Sequence, residues 1–330
     1  MTSHRVTKLI LGIVVLVALF FSQPARSQSL KKVTLAISAT NVNYLPFFVA
    51  LQKGFYRDEG IDLQVIYMPS TLTSKTVLTG DVDYSGAVSG VVGAAVTGQP
   101  LKVVMFTVAR PLLFLISRKE ISEPQQLKGK KIAGSTPGAS ATLLATQALK
   151  HFGLEPGRDV AIMPMGGSAA GRYAILESGV VDASVLSVPE NIIAQEKGFR
   201  ELLFIGDIVE LPQTGIGASD KKIRENPDEI YRMIRATLRG ILFVWDKQNY
   251  EETIGIIMKH WKIKDRKMAE GMFRHLTRVL TKDASVKPES VQVLIDLARE
   301  NAKVSKPVSV AEVVDFSFTD RARKDLAVTQ

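Results

Sequence analysis

The chain has 330 residues, 46% of them hydrophobic and 23% charged, with a net charge of +9 at pH 7 and no cysteine. That length exceeds the usual size of a single core and predicts two lobes, and the composition is that of a folded globular protein. The missing cysteines exclude disulfides, thiol catalysis, thiolate metal sites and a lipid-bearing cysteine anchor.

The N-terminus is the one compositional departure. "MTSHRVTK" carries Arg5 and Lys8 and no acid, an apolar run extends from Leu9 to Phe21, and the polar "SQPARSQS" follows with small residues Ala25 and Ser27. This pattern predicts a secretory signal peptide cut after Ser27. The apolar run is too short for a bilayer span, which needs about 20 residues. Cleavage removes Arg5, Lys8 and Arg26 and no carboxylate, so +9 falls by three to +6. The remaining Lys and Arg residues are interleaved with apolar positions in segments such as "DRKMAEGMFRHLTR", the pattern of solvated helix faces and not of a nucleic-acid surface.

The mature chain then alternates strand and helix. "KKVTLAIS" is β-rich, "YLPFFVALQKGFYRDEG" has helical spacing with Pro46 near its start and Gly60 after its end, and "IDLQVIYM" is a strand. "TLTSKTVLTG" leads as a helix into "DVDYSGAV", and "SGVVGAAVTGQ" into "LKVVMFTVA". The order βαβαβαβ predicts a parallel sheet covered by helices. A second run, roughly 115–210, repeats the alternation: "RPLLFLISRK", "GKKIAGS", "ATLLATQALKHFG", "DVAIMPM", "AGRYAILESG", "VVDASVLS", "PENIIAQEKG" and "ELLFIGD". After "LPQTGIGAS" amphipathic helices take over. The first has Asn226 as cap, Pro227 next and Glu229 placed for a capping box, with Ile230, Met233, Ile234, Leu238, Ile241, Leu242 and Trp245 at helical spacing as core. Two more helices are predicted near 265–280 and 288–303, packed back on the first lobe.

Catalytic motifs do not emerge. The sequence lacks GxxxxGK[ST], GxGxxG after a strand, HExxH and GxSxG. His151, His260 and His275 have no partner at metal-ligand spacing and read as helix residues. What recurs is a strand, a small or polar turn and a helix: "SATNVNYLPFF", "YSGAVSGVVG", "AGSTPGASATL" and "LSVPENIIA". In an open parallel sheet such turns lie at the carboxyl ends of the strands, where ligands bind, and free helix-start amides there favour an anionic or strongly accepting group.

Two charged residues bear on the ligand class. Arg110, before Pro111, is placed to clamp a carboxylate or sulfonate, or else to form a hinge salt bridge. Glu190, after Pro189, is placed to receive an amine, or else to complement the dipole of its own helix. Arg172, opening a helix, reads as structural.

The stretches "PFFVALQKGFYRDEGIDLQV", "LTGDVDYSGA" and "LKGKKIAGSTPGASATLLATQALKHFGLEPGRDVAIMPMGGSAAGRYAILESGVVDASVLSVPE" resemble the nitrate/sulfonate/taurine type of solute-binding proteins of ABC importers. The resemblance covers nearly the whole mature chain. It implies an α/β, two-lobed, periplasmic-binding-protein-like fold of type II, with crossovers near 109–117 and 206–217. Lobe one would be 28–112 with 213–330, and lobe two 113–212.

The implied function is capture of a small organic molecule of sulfonate or carboxylate type in the cleft between the lobes. A periplasmic monomer, not lipid-anchored, would deliver it to an ABC permease at the inner membrane, without cofactor or metal. Carried over by position, the resemblance puts Asn43 and Tyr44, Ser89 and Gly90, and Thr136, Gly138, Ala139 and Ser140 at the ligand, with Ser89 at least a helix cap and packing against Phe47 the alternative for Tyr44. The same broad family includes enzymes that build the thiamine pyrimidine with a cysteine-rich motif and a cofactor-bearing lysine–histidine site. The absence of cysteine argues for transport. A periplasmic sensor of the same fold, and a thiamine-pyrimidine-related binding protein or enzyme, are the alternatives.

Overall fold

The structure, a computed structural model, describes residues 29–38, 41–135, 140–165 and 168–328. The predicted signal peptide therefore lies outside the described residues.

The chain opens with β1 (Lys31–Ile37), a 3-10 turn (Val42–Tyr44), α1 (Leu45–Gln52), α2 (Phe55–Asp58), β2 (Ile61–Tyr67), α3 (Ser70–Thr79), β3 (Tyr84–Ala87), α4 (Val88–Val96) and β4 (Leu101–Val108). The stretch expected as one helix over "YLPFFVALQKGFYRDEG" is two. Gly54 sits at φ 75°, a left-handed conformation that glycine adopts without steric cost, and it turns the chain between α1 and α2. After Val108 the chain crosses to β5 (Leu113–Ser117) and builds β6 (Lys131–Gly134), α5 (Ser140–His151), β7 (Ala161–Pro164), α6 (Ala169–Glu177), β8 (Ala183–Ser187), α7 (Glu190–Glu196) and β9 (Arg200–Phe204). It returns through a 3-10 turn (Ile205–Asp207) to β10 (Thr214–Ser219), then runs as helices: α8 (Asp220–Glu225), α9 (Pro227–Trp245), α10 (Tyr250–Trp261), α11 (Arg266–Leu276), α12 (Pro288–Ala302), α13 (Val310–Val313) and α14 (Ser317–Asp325).

Two five-stranded sheets result, in the orders β2-β1-β3-β10-β4 and β7-β6-β8-β5-β9. They are mixed and not all parallel. The strands joined by βαβ units run parallel, whereas β10 is antiparallel to β3 and β4, and β5 is antiparallel to β8 and β9. Each reversed strand is the first after a passage between sheets, where no crossover helix imposes a parallel return.

Side-chain alternation shares the strands between two cores. Phe114 and Ile116 of β5 join Leu35, Met105 and Met233, while Leu115, between them, joins Val91, Phe106 and Ile132. Helix α9 buries Ile230, Met233, Ile234, Leu238 and Ile241 against α1 and α14, as its apolar spacing requires. Gly240 is needed at that contact, since a Cβ would lie 2.3 Å from the Pro46 carbonyl oxygen.

The expected capping box of α9 is absent. Asn226 makes no side-chain cap bond, and its Oδ1 instead accepts from Lys31 Nζ at 3.2 Å. Glu229 is drawn into a polar anchor. It accepts the Tyr84 hydroxyl at 2.8 Å, pairs with Lys222 at 2.6 Å, and Lys31 closes on its other oxygen.

Helix α12 packs on α4, and α11 reaches both the first 3-10 turn and the second sheet. In the latter contact the His275 ring meets Phe114 edge-on at 4.8 Å, and Gly271 faces Ile192. No helix among the described residues is long and apolar enough to cross a membrane.

Candidate functional site

The turn after β1 in one sheet and the carboxyl end of β8 in the other approach each other where both connecting segments pass. A small cavity of about 70 Å³ lies there, lined by Asn41 and Asn43 after β1, Leu112 and Leu113 at the first passage, Ser187 and Val188 at the end of β8, and Gln213 at the second passage. Every wall is thus a strand terminus or a connection between sheets, the place where ligands bind in open α/β sheets.

Asn43 is the most informative group. Only 8% of it is exposed, its N–H donates to Asn41 Oδ1 at 3.1 Å, and its own Oδ1 is buried with no hydrogen-bond partner among the described residues. A buried acceptor without a donor costs about 1–3 kcal/mol, so its orientation at the cavity is unfavourable unless a guest supplies the donor.

Tyr44, expected beside it at the ligand, is a core residue. It is 2% exposed, its ring is 6.2 Å from that of Phe47, and its hydroxyl is 3.2 Å from Ser38 Oγ. Tyr44 stands at the N-cap of α1, and its ring lies so close to Gly86 of β3 that a Cβ there would come within 3.0 Å of it.

Ser89 is not a cap. Ala87 occupies that position in α4, without a side-chain cap bond, so Ser89 and Gly90 are half-buried residues of the first helical turn. The first-turn amides of α4 accordingly have no side chain bonded over them. Ser85 Oγ satisfies the Ala87 amide at 3.2 Å and goes no further.

Thr136, Gly138 and Ala139 lie outside the described residues, and Ser140 is the first residue of α5. The junction on either side is tight. Thr142 Oγ1 donates to the Ser135 carbonyl at 3.0 Å, and a Cβ on Gly134 would come within 2.8 Å of that hydroxyl.

Glu190 opens α7, one turn beyond the cavity-lining Ser187 and Val188. Its carboxylate accepts the Ser187 hydroxyl at 3.2 Å, next to the cavity wall. Burial raises its pKa above the ordinary carboxylate value, while the Ser187 bond and the Arg172 charge pull the other way. Arg172, read from sequence as merely structural, is 6% exposed and donates from Nε to the Val185 carbonyl at 2.9 Å. It forms a buried positive floor beneath β8. Nothing in the local pattern distinguishes this arginine from any other near a helix start, and only the packing of α6 on β8 brings it to Glu190.

Arg110 forms the hinge salt bridge, the second of the two roles its position offered. Its guanidinium pairs with Glu210 at 3.2 Å, so it ties the first connecting segment to the second instead of clamping a ligand in the cavity. Glu210 also accepts Lys287 at 3.1 Å and the Ser290 hydroxyl at 3.1 Å. Arg110 lines a different, larger groove that shares no residue with the cleft cavity. The local sequence put it at a crossover correctly, but which side of the crossover it faces depends on the return strand 100 residues later.

Among the described residues no group of His, Asp and Glu is assembled to hold a metal ion.

Comparison with known proteins agrees with this geometry. The chain is 28% identical over 229 residues to the riboflavin-binding protein RibY of Chloroflexus aurantiacus, and it spans 64% of that protein's length and 66% of its own. It is 25% identical over 233 residues to the 4-amino-5-hydroxymethyl-2-methylpyrimidine phosphate synthase of Candida albicans, covering 67% of that protein and 64% of itself. Among solved structures it is similar to the periplasmic aliphatic sulphonate-binding protein SsuA of Escherichia coli, with a TM-score of 0.68, 18% identity, and 85% and 91% of the two chains covered. The fold is therefore that of the periplasmic binding proteins. Residues 41–250, from the turn that carries Asn43 to the start of α10, match the family described as NMT1/THI5-like, and the chain belongs to that family.

Proposed function

We propose that the protein is a solute-binding protein that captures one small organic molecule between its two sheets and presents it to an ABC permease, without itself performing chemistry. The observation that carries this reading is Asn43 Oδ1, a buried acceptor left without a partner where both sheets and both connecting segments meet. The guest would place an anionic or accepting end at the first turn of α4, around Ser89 and Gly90, and at Thr136, Gly138, Ala139 and Ser140. An N–H or O–H donor on the same guest would face Asn43 and the Ser187–Glu190 pair. Lobes 28–112 with 213–330 and 113–212 would close on it about the segments 109–112 and 205–213, and the guest need only favour the closed arrangement. Export through the N-terminal segment, release into the periplasm as a monomer and delivery to the membrane belong to the same reading. The similarity to RibY and to SsuA supports binding of a small organic solute and brings flavins and sulfonates into the range to be tried.

A thermal-shift screen of the mature protein against sulfonates, carboxylates, amines, aminopyrimidines and flavins tests it, because a ligand bound only by the folded state raises the melting temperature. The expected hit loses its shift in Asn43→Leu and keeps it in Arg110→Gln. A ligand consumed with turnover, or a hit indifferent to Asn43→Leu, would sink the proposal.

A further inference from the structure

The groove that Arg110 does line has features of its own. It holds about 770 Å³, within the range of small-molecule sites, and is bounded by both connecting segments, the loop 282–287 and the start of α12. Ala109, Leu242, Val286 and Val328 give it an apolar floor.

Its charges do not cancel. Asp283 is buried and already paired with Arg323 at 2.8 Å, so it contributes no free negative charge. Glu210 is shared between Arg110 and Lys287. Lys282 has no carboxylate partner among the described residues, and its ammonium lies 5.7 Å from the Trp245 ring centroid. One acid is thus divided between two cations while a third cation stands unopposed over an aromatic face, so the groove carries a positive excess beside apolar surface.

We propose that this groove is a second ligand site, for an organic anion with an apolar body. The carboxylate or sulfonate would lie between Lys282 and the Arg110–Lys287 pair, and the body would lie on Leu242, Val286 and Val328. The proposal stands on this groove alone and does not depend on the cleft reading. Because the groove touches both segments that join the sheets, a molecule there is also in contact with the path along which the sheets would move.

Trp245 provides a local reporter, since its indole N–H is bonded to the Thr281 carbonyl at 2.8 Å at the groove's edge. The chain has two tryptophans, so Trp261→Phe leaves Trp245 as the single emitter. The experiment titrates this mature protein with octanoate and follows Trp245 fluorescence. The expected result is a saturable change whose Kd rises about tenfold or more in Lys282→Glu, and by a smaller factor in Lys282→Gln, both of which should fold normally because the side chain is exposed. Octanol, with the same body and no charge, should bind about tenfold more weakly. Asn43→Leu, in the cleft, should leave the octanoate Kd unchanged. A non-saturating signal, equal binding of octanol, or loss of binding in Asn43→Leu but not in Lys282→Glu would each overturn the assignment.

Discussion

Two polar clusters in this molecule are built from similar residues and behave in opposite ways. Around Glu229, which is 2% exposed, opposite charges meet: Tyr84 and Lys222 reach one carboxylate oxygen, the Lys31 ammonium faces the other, Lys222 also pairs with Asp83 at 2.6 Å, and Asp83 accepts from the Thr34 amide at 2.8 Å. At the cleft, Asn43 Oδ1 has no donor, α4 has no side-chain cap, and burial lifts Glu190 above its ordinary pKa. A satisfied buried network fixes the fold, whereas polar groups left unmatched at the meeting of two sheets keep capacity for a guest.

The largest test of this contrast is Glu229→Ala. It removes the acceptor of the buried Tyr84 hydroxyl and leaves Lys222 with Asp83 alone, and should cost about 1–3 kcal/mol in denaturant unfolding. Ligand affinity of the protein that remains folded should change little. Asn43→Leu is the mirror image, with unfolding free energy unchanged or higher by up to about 1 kcal/mol and ligand affinity down about tenfold or more, read by calorimetry.

pH separates the clusters further. His275, at the contact of α11 with the second sheet, has its pKa depressed to about 4, chiefly by burial and secondarily by Arg278 and Arg274. It is held neutral when folded, so the unfolded chain takes up more protons between about pH 6.5 and 4, and stability present above that window is lost as pH falls through it. The loss should be about 1–2 kcal/mol once partial exposure of the ring is allowed for, and His275→Phe should flatten that limb.

Burial works to raise Asp83 and Glu229, but the bonds from Lys222 and its neighbours bring both below the ordinary value. Their stabilisation is present above the unfolded carboxylate pKa and fades only below about pH 4. A retained acid limb below pH 4 in His275→Phe would confirm the division.

Glu190 has the reverse sign. Its raised pKa makes the charged form unfavourable in the folded chain, so stability falls as pH rises through the shifted value, and Glu190→Gln should gain about 0.5–1 kcal/mol at pH 7. The same substitution should weaken an amine or N–H donor ligand and spare a purely anionic one. The smallest effect belongs to Glu210→Gln, which removes the solvent-screened ion pairs to Arg110 and Lys287, each worth less than about 1 kcal/mol.

Much of this was legible in the chain. The alternation of β-rich and helical stretches, the turns with small residues and the apolar stripe of α9 follow from periods of 2 and 3.6, which any solvent-exposed chain must obey to bury one face. Those same periods located Asn43 and Glu190 at strand-to-helix turns.

What the sequence could not decide was pairing across distance. Glu229 sits where a capping box would put it, yet its carboxylate bonds to Tyr84, 145 residues away. Arg110 sits on a crossover, yet its partner Glu210 lies on the other one, and Arg172 becomes part of the site only because α6 packs over β8. Local periodicity determines which face of an element is buried. Which charged or polar group then finds a partner depends on contacts between segments 100 or more residues apart, and that is why the tertiary structure alone separated the anchor from the binding site.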